Sequence, residues 1–388
     1  MSRAATDFSP LFTPLRLGNL ELANRIVFPP MGLEVCEEGV PSEEAAAYYA
    51  RRAAGGASLV FTEGVYIDHP SSGDNPLLGR WHGEAAFAGW ERVARAVHEA
   101  GGYVLPELWH VGLIYRGPDI LTGQDVDFRP ELGQVSPSGF IAPGKQVCDG
   151  MSEAEIAAVI DAYARGTAKA VELGFDGIEL HGAHGYIIDQ FFWKALNHRT
   201  DRWGGSPRAR GQFAADVIRA CREQLRPGMP VVLRISQWKM VDFAARMAET
   251  PQELEALLAP AVEAGVDLFD CSQRRFWEPC FTDGSDLNLA GWVRKVTGVP
   301  TMTVGSIGLD CDLLASLGEG RTAELDLPSL DELMRRFNRG DFDLIGVGRA
   351  MIAEPDWPGI VRRGELGALK PFSTRSLAEA LMAHVKAE

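Results

Sequence analysis

Residues 171–186 read VELGFDGIELHGAHGY. Val171 to Leu173 end an amphipathic helix, Gly174 stands where a helix terminus favours glycine, and Asp176 to Leu180 form a short apolar strand. The chain then delivers His181, His184 and Tyr186 into a glycine-rich turn, where backbone constraints are relaxed. The same helix–glycine–strand junction recurs in AAGGASLVFTE, HEAGGYVLPEL, VEAGVDLFDC and FNRGDFDLIGV. One supersecondary unit is therefore repeated along the chain.

Strands are predicted at Arg25–Pro30, Ala57–Glu63, Tyr103–His110, Asp176–His181, Val231–Ser236, Asp267–Ser272, Pro300–Ser306 and Phe342–Arg349. Between them fall helices near Ser42–Ala54, Glu84–Ala100, Ser152–Leu173, Pro207–Leu225, Pro251–Ala264, Asn288–Val296 and Ser329–Asn338. Eight such units predict a closed α/β (β/α)8 TIM barrel, one domain over residues 1–388. Leu15-Arg16-Leu17 and Leu20-Glu21-Leu22 alternate around Gly18-Asn19, so residues 14–24 are expected to form a hairpin serving as a small lid. The stretches 111–151 after strand three and 237–250 after strand five exceed ordinary βα loops and are expected on the catalytic face. Residues 374–388 read as a final amphipathic helix that packs on the barrel or on the second subunit of a homodimer.

Of 388 residues 46% are hydrophobic, enough for a large core, and the net charge of −15 with no basic stripe argues against a nucleic-acid partner. The six cysteines form no CxxC pair, so neither a zinc ribbon nor an iron–sulfur cluster is suggested. The N-terminus lacks the apolar core of a secretory signal and no window approaches a membrane span, so a cytoplasmic protein is expected.

Barrel chemistry collects at the C-terminal ends of strands. Two imidazoles and a phenol meet there after strand four. A neutral imidazole pair can hold one oxygen, and a tyrosine that keeps its proton at neutral pH makes the site a carbonyl-polarising one with its own acid. Structural histidines are the plainer alternative, and a metal is not expected, because the spacing is not HExxH and no further ligand lies beside it. Gly305-Ser306 and Gly348-Arg349 close strands seven and eight, where barrels bind phosphate, and Arg349 would add a bidentate cation. Gly346-Val347-Gly348 lacks the context of a dinucleotide fingerprint. Arg234, inside the apolar run VVLRIS, should face an acceptor, a structural ion pair being the alternative. Trp109, Trp238 and Trp277 are candidate aromatic walls for a substrate, or simple packing.

LFTPLRLGNLELANRIVFPPM, YYARRAAGGASLVFTEG, LWHVG, HGAHGYIIDQFFWKALNHRTDRWGGS and GVGRAMIAEPDW together resemble the Old Yellow Enzyme family of FMN-dependent ene-reductases, over nearly the whole chain. That resemblance implies FMN with its phosphate at Gly305, Ser306, Gly348 and Arg349, Arg234 beside the N1–C2 edge, and Pro29, Pro30, Met31, Gly32 and Gly64 around the ring. It implies His181 and His184 holding a substrate carbonyl oxygen, Tyr186 as proton donor, and NAD(P)H as the transient hydride donor. The implied reaction reduces the C=C bond of an α,β-unsaturated carbonyl compound. Three positions depart from the family pattern: Trp203 stands where a Tyr is usual before Gly204-Gly205, which reads as a packing change, and the other two lie beside the flavin. Gly32 replaces a Thr or Cys beside the flavin O4 edge, and Glu107 replaces the Gln of a QLWH-like strand. Together they are expected to lower the flavin potential, unless Glu107 is held protonated. The alternatives are a single-domain flavin N-demethylase or amine dehydrogenase, and a non-redox phosphate-binding barrel.

Overall fold

The repeated unit closes into a ring in the computed structural model, which describes residues 6–32, 36–114 and 133–382. The parallel strands are β1 (Ile26–Phe28), β2 (Leu59–Ile67), β3 (Tyr103–Trp109), β4 (Ile178–His181), β5 (Val231–Ile235), β6 (Leu268–Ser272), β7 (Thr301–Val304) and β8 (Leu344–Gly346). Each pairs with the next in chain order, and β8 returns to β1 with Gly346 opposite Val27. Every predicted strand is thus a barrel stave. Helices separate them because local signals stop and start each run. Ser42 accepts a hydrogen bond from the Ala45 N–H at the head of Glu43–Ala54, and a Ser152/Glu155 capping box opens Glu153–Glu172.

Inward-facing apolar side chains of seven staves, among them Val27, Leu59, Leu105, Val232, Leu268, Met302 and Leu344, form one cluster with Leu17, Leu20 and Leu22. The latter belong to the hairpin Leu15–Leu17/Leu20–Leu22. Its turn is fastened to the loop before β5. The Asn19 N–H donates to Gly228 O at 2.8 Å, and a Cβ on Gly18 would stand 2.2 Å from that oxygen. The hairpin expected as a lid therefore closes the N-terminal end of the barrel, away from the strand ends where the site lies. A second, larger core lies between staves and helices.

Several features differ from the sequence expectation. The helix predicted over Pro207–Leu225 is split at Gly211 into Pro207–Arg210 and Gln212–Arg222. A Cβ on Gly211 would lie 2.1 Å from Leu257 O, so close contact with the next helix sets the break. Short helices at Ile187–Phe192, Arg349–Ala353 and Trp357–Arg363, and hairpins at Cys36–Pro41 and Phe140–Gln146, escape a periodicity search because they are too short to show one. Of the expected excursion 111–151, residues 115–132 lie outside the described residues, as do residues 383–388 of the expected terminal helix, seen at Thr374–Met382. Among the described residues no helix is long and apolar enough to cross a membrane.

Candidate active site

Above the apolar plug, the next inward position on four adjacent staves carries an ionisable side chain: Glu107 on β3, Glu179 on β4, Arg234 on β5 and Asp270 on β6, all buried. Arg234 is the only cation among the four. Its Nη1 donates to Pro30 O at 3.1 Å and lies 3.5 Å from Glu107 Oε1, and its Nε lies 3.3 Å from Asp270 Oδ2. The acceptors expected for Arg234 are thus two carboxylates and a carbonyl.

Burial governs how these acids ionise. Desolvation, reinforced by Asp270 and Glu107, pushes Glu179 well above the ordinary carboxylate range. Burial raises Asp270 to about 6 against the pull of Arg234. Glu107 goes the other way: burial pushes it up, but His181 and Arg234 outweigh that and hold it below its ordinary value. Of the two alternatives for Glu107, this favours the carboxylate over the protonated acid, because two cationic or hydrogen-bonding partners converge on it.

At the end of β4, His181 directs Nδ1 to Glu107 Oε1 at 2.5 Å, while its Nε2 is buried without a partner among the described residues. His184 follows in a backbone conformation unusual for a non-glycine residue, with φ 63°, ahead of Gly185 at φ 88°. Such a turn persists only when its surroundings over-determine it. Here the His184 N–H donates to Ser236 Oγ at 2.9 Å, the Met240 N–H to His184 O at 3.0 Å, and the Gly185 N–H to Asp189 Oδ2 at 2.7 Å. Asp189 is itself fixed by a fully buried ion pair with Lys239 at 2.6 Å. The stretch after β5, long by sequence, supports the histidine turn in this way. His184 Nε2 lies 2.8 Å from Ser272 Oγ and its ring stacks on Trp238 at 4.2 Å. Burial, then the charges of His181, Arg234 and Lys239, keep His184 well below the ordinary histidine value and so neutral. Tyr186 stands edge-on to Trp109 at 4.8 Å and to His181 at 5.0 Å.

These groups line a cavity of about 340 Å³ at the C-terminal mouth of the barrel. Pro30, Met31, Gly32, Gly64, Glu107, Trp109, His181, His184, Tyr186, Arg234, Trp238, Gly305, Ser306, Gly348 and Arg349 all contribute to it. Pro29 does not line it but lies directly beneath, 3.2 Å from where a Cβ on Gly346 would be. Trp277 is not part of the wall. Its ring packs edge-on to Phe276 at 5.3 Å, and its carbonyl accepts from Arg336.

Arg349 also departs from expectation. Its Nη2 donates to Cys311 O at 2.7 Å and Ser306 Oγ at 2.8 Å, and its Nη1 donates to Asp312 O at 3.0 Å and to Ser316 Oγ. Both terminal nitrogens are engaged by protein oxygens, so Arg349 braces the segment after β7 and brings its charge to the cavity edge without a free fork for bidentate pairing. Sequence reasoning did not single out Glu179 and Asp270, although GIELH and LFDCS carry the same signal as VVLRIS, one charge in an apolar strand. Arg274, Phe243 and Leu313, also in the wall, sit in loops with no such signal.

A closed barrel with a charged floor and a glycine-walled mouth is built to hold a flat, phosphorylated cofactor. The chain belongs to the NADH:flavin oxidoreductase / NADH oxidase family, the Old Yellow Enzyme family, whose model matches residues 10–365 and whose cofactor is FMN. An NADH oxidase of Thermoanaerobacter brockii is 31% identical over 373 residues, covering 94% of this chain and 52% of that protein, so the chain spans about half of that relative. A chanoclavine-I aldehyde reductase of Penicillium roqueforti is 31% identical over 358 residues, covering 91% of this chain and 89% of the relative. The solved structure of the old yellow enzyme homologue from Zymomonas mobilis superposes with a TM-score of 0.75 at 23% identity, covering 95% of this chain and 96% of that one, which shows the fold.

The residues present fit FMN. Side chains are missing where a planar ring needs a wall: a Cβ on Gly64 would stand 2.9 Å from Trp109, and one on Gly348 2.9 Å from Met31. Gly305, at φ 143°, could carry no side chain without meeting Gln273 O at 2.5 Å. The Arg234 cation offers a donor beside this wall, suited to an electron-rich ring edge.

Proposed function

We propose that the protein reduces the C=C bond of α,β-unsaturated carbonyl compounds, using FMN and NAD(P)H. The observation that carries this reading is the convergence of His181 Nε2, His184 and Tyr186 on one wall of a cavity whose other wall is glycine. Gly305, Ser306 and Gly348, braced by Arg349, would hold the FMN phosphate. Pro30, Met31, Gly32 and Gly64 would flank the ring, with Pro29 supporting them from below, and Arg234 and Glu107 would meet its polar edge. Held by these residues, FMN would supply the hydride for the alkene, with NAD(P)H as the source of its two electrons.

The chain's own residues do the rest. His181 and His184 hold the carbonyl oxygen and stabilise the negative charge that gathers on it during reduction. Tyr186, fixed edge-on between Trp109 and His181, delivers a proton to the α-carbon. Trp109 and Trp238 exclude water from the reacting atoms.

The test follows NADPH and NADH oxidation by the purified flavoprotein with 2-cyclohexenone as oxidant. Tyr186→Phe should slow oxidation of the prereduced enzyme by about 10²-fold or more while leaving reduction by NAD(P)H unchanged. A protein that turns over N-methylated amino acids but not cyclohexenone would sink the reading.

A further inference from the structure

The two imidazoles of the site have different partners. His184 faces a hydroxyl, Ser272, at 2.8 Å, whereas His181 faces a carboxylate, Glu107, at 2.5 Å. An ionised carboxylate only accepts hydrogen bonds, so the proton shared by this pair belongs to His181 Nδ1. Everything His181 offers to the cavity then depends on its other nitrogen. With one proton on the ring, Nε2 is a lone pair and repels a carbonyl oxygen. With two, it is an N–H donor carrying a positive charge.

We propose that Glu107 is a positioning residue that locks His181 in the Nδ1–H tautomer, so that His181 grips a carbonyl oxygen only as an imidazolium and ligand binding takes up a proton. This rests on the carbonyl-binding reading above. The glutamine expected here from the family pattern could donate to Nδ1 instead, which would place the single ring proton on Nε2, already aimed at the ligand.

The charges around His181 favour the same picture. Facing it are Glu107 from β3, Glu179 from its own strand, Arg234 from β5, Asp270 from β6, and His184 and Tyr186 from the following turn. The Asp189–Lys239 pair lies beyond and is internally balanced. His184 is held neutral and Glu179 protonated, chiefly by burial. Near pH 7 the remaining floor holds two carboxylates, Glu107 and Asp270, against one guanidinium, Arg234. A buried net negative charge is costly, and a second proton on His181, which lines the cavity beside Glu107 and Arg234, cancels it where a ligand can reach the new N–H.

The experiment is calorimetric titration of the FMN-loaded protein with 2-cyclohexenone in buffers of different ionisation enthalpy, from pH 6 to 9. The wild type should take up about one proton per ligand at the alkaline end, with affinity falling about tenfold per pH unit there. In Glu107→Gln, uptake should vanish and affinity should become flat with pH. Nitrogen-15 spectra of histidine-labelled wild type, assigned through His181→Asn, give a ligand-free check. Neutral His181 should show the Nδ1–H tautomer. An Nε2–H tautomer, or cyclohexenone binding without proton uptake, overturns the proposal. Failure of cyclohexenone to bind strikes the carbonyl reading instead, and the spectra alone then decide the tautomer.

Discussion

The foot and the mouth of the barrel are lined by the same staves, two residues apart, and have opposite chemistry. At the foot, Leu105, Val232 and Leu268 pack with the hairpin leucines Leu17, Leu20 and Leu22. One inward step higher on the same three strands stand Glu107, Arg234 and Asp270, buried as fully as the leucines. The foot is stabilised by removing apolar surface from water, at about 25 cal/mol per Å². The mouth gains little by burial, because desolvating three carboxyls and a guanidinium offsets most of their attraction. Stability and chemistry are therefore separated along each strand, and the charged layer persists by mutual pairing.

Removing one partner from each end exposes that difference most strongly. Arg234→Met leaves Glu107 and Asp270 buried without their cation and should destabilise the protein by about 3–5 kcal/mol in urea denaturation, with loss of bound flavin colour. Leu105→Ala should cost a similar or smaller amount, about 2–5 kcal/mol, yet leave the flavin spectrum and the activity of the folded fraction intact. If Leu105→Ala changes the spectrum as Arg234→Met does, the two ends are not separable.

A smaller effect is carried by pH. Burial holds His184 and His110 well below the ordinary histidine value, His110 further lowered by His69. As pH falls below about 6.5, the unfolded chain binds protons that these folded groups refuse, so stability decreases by up to about 1.4 kcal/mol per unit for each. Asp270, raised to about 6, acts in the opposite sense, favouring the folded state as pH falls from there toward its unfolded value. Glu179, held protonated by burial, acts in that sense across neutral pH as well, so the histidine contribution is read as the difference between wild type and variant from pH 7 to 6. His184→Asn should flatten the slope in that window, whereas Leu105→Ala should lower the whole curve without changing its shape.

The smallest change tests the wall itself. Among the described residues a Cβ on Gly32 would meet only Leu78, at 3.9 Å, and the backbone there is ordinary. Gly32→Cys should alter stability by less than about 0.5 kcal/mol while shifting the flavin absorbance maximum and midpoint potential. An unshifted spectrum would remove Gly32 from the flavin's surroundings.

Local signals account for what was legible. Helix-ending glycines such as Gly174 and Gly265, followed at once by an apolar run, marked five of the eight staves, short apolar runs marked the other three, and the HGAHGY turn marked one wall of the cavity. Trp277 illustrates the limit, since an aromatic residue reads alike whether it packs on Phe276 or faces a ligand. Glu63 illustrates another. Simple alternation from Leu59 and Phe61 would turn it inward, but an extra residue in β2 shifts the register, so that Gly64 stands opposite Glu107. Glu63 instead accepts from the Gly79 N–H outside the barrel.

The sequence by itself determined the number and order of the strand–helix units and the residue types at each strand end, because periodicity, caps and turn glycines act within a few residues. Only the tertiary structure decided that Glu107 meets His181, that Arg234 bridges Glu107 and Asp270, and that Arg349 braces a loop. Those contacts join positions 33 to 127 residues apart. They depend on the shear and register of a closed ring, which no local stretch encodes.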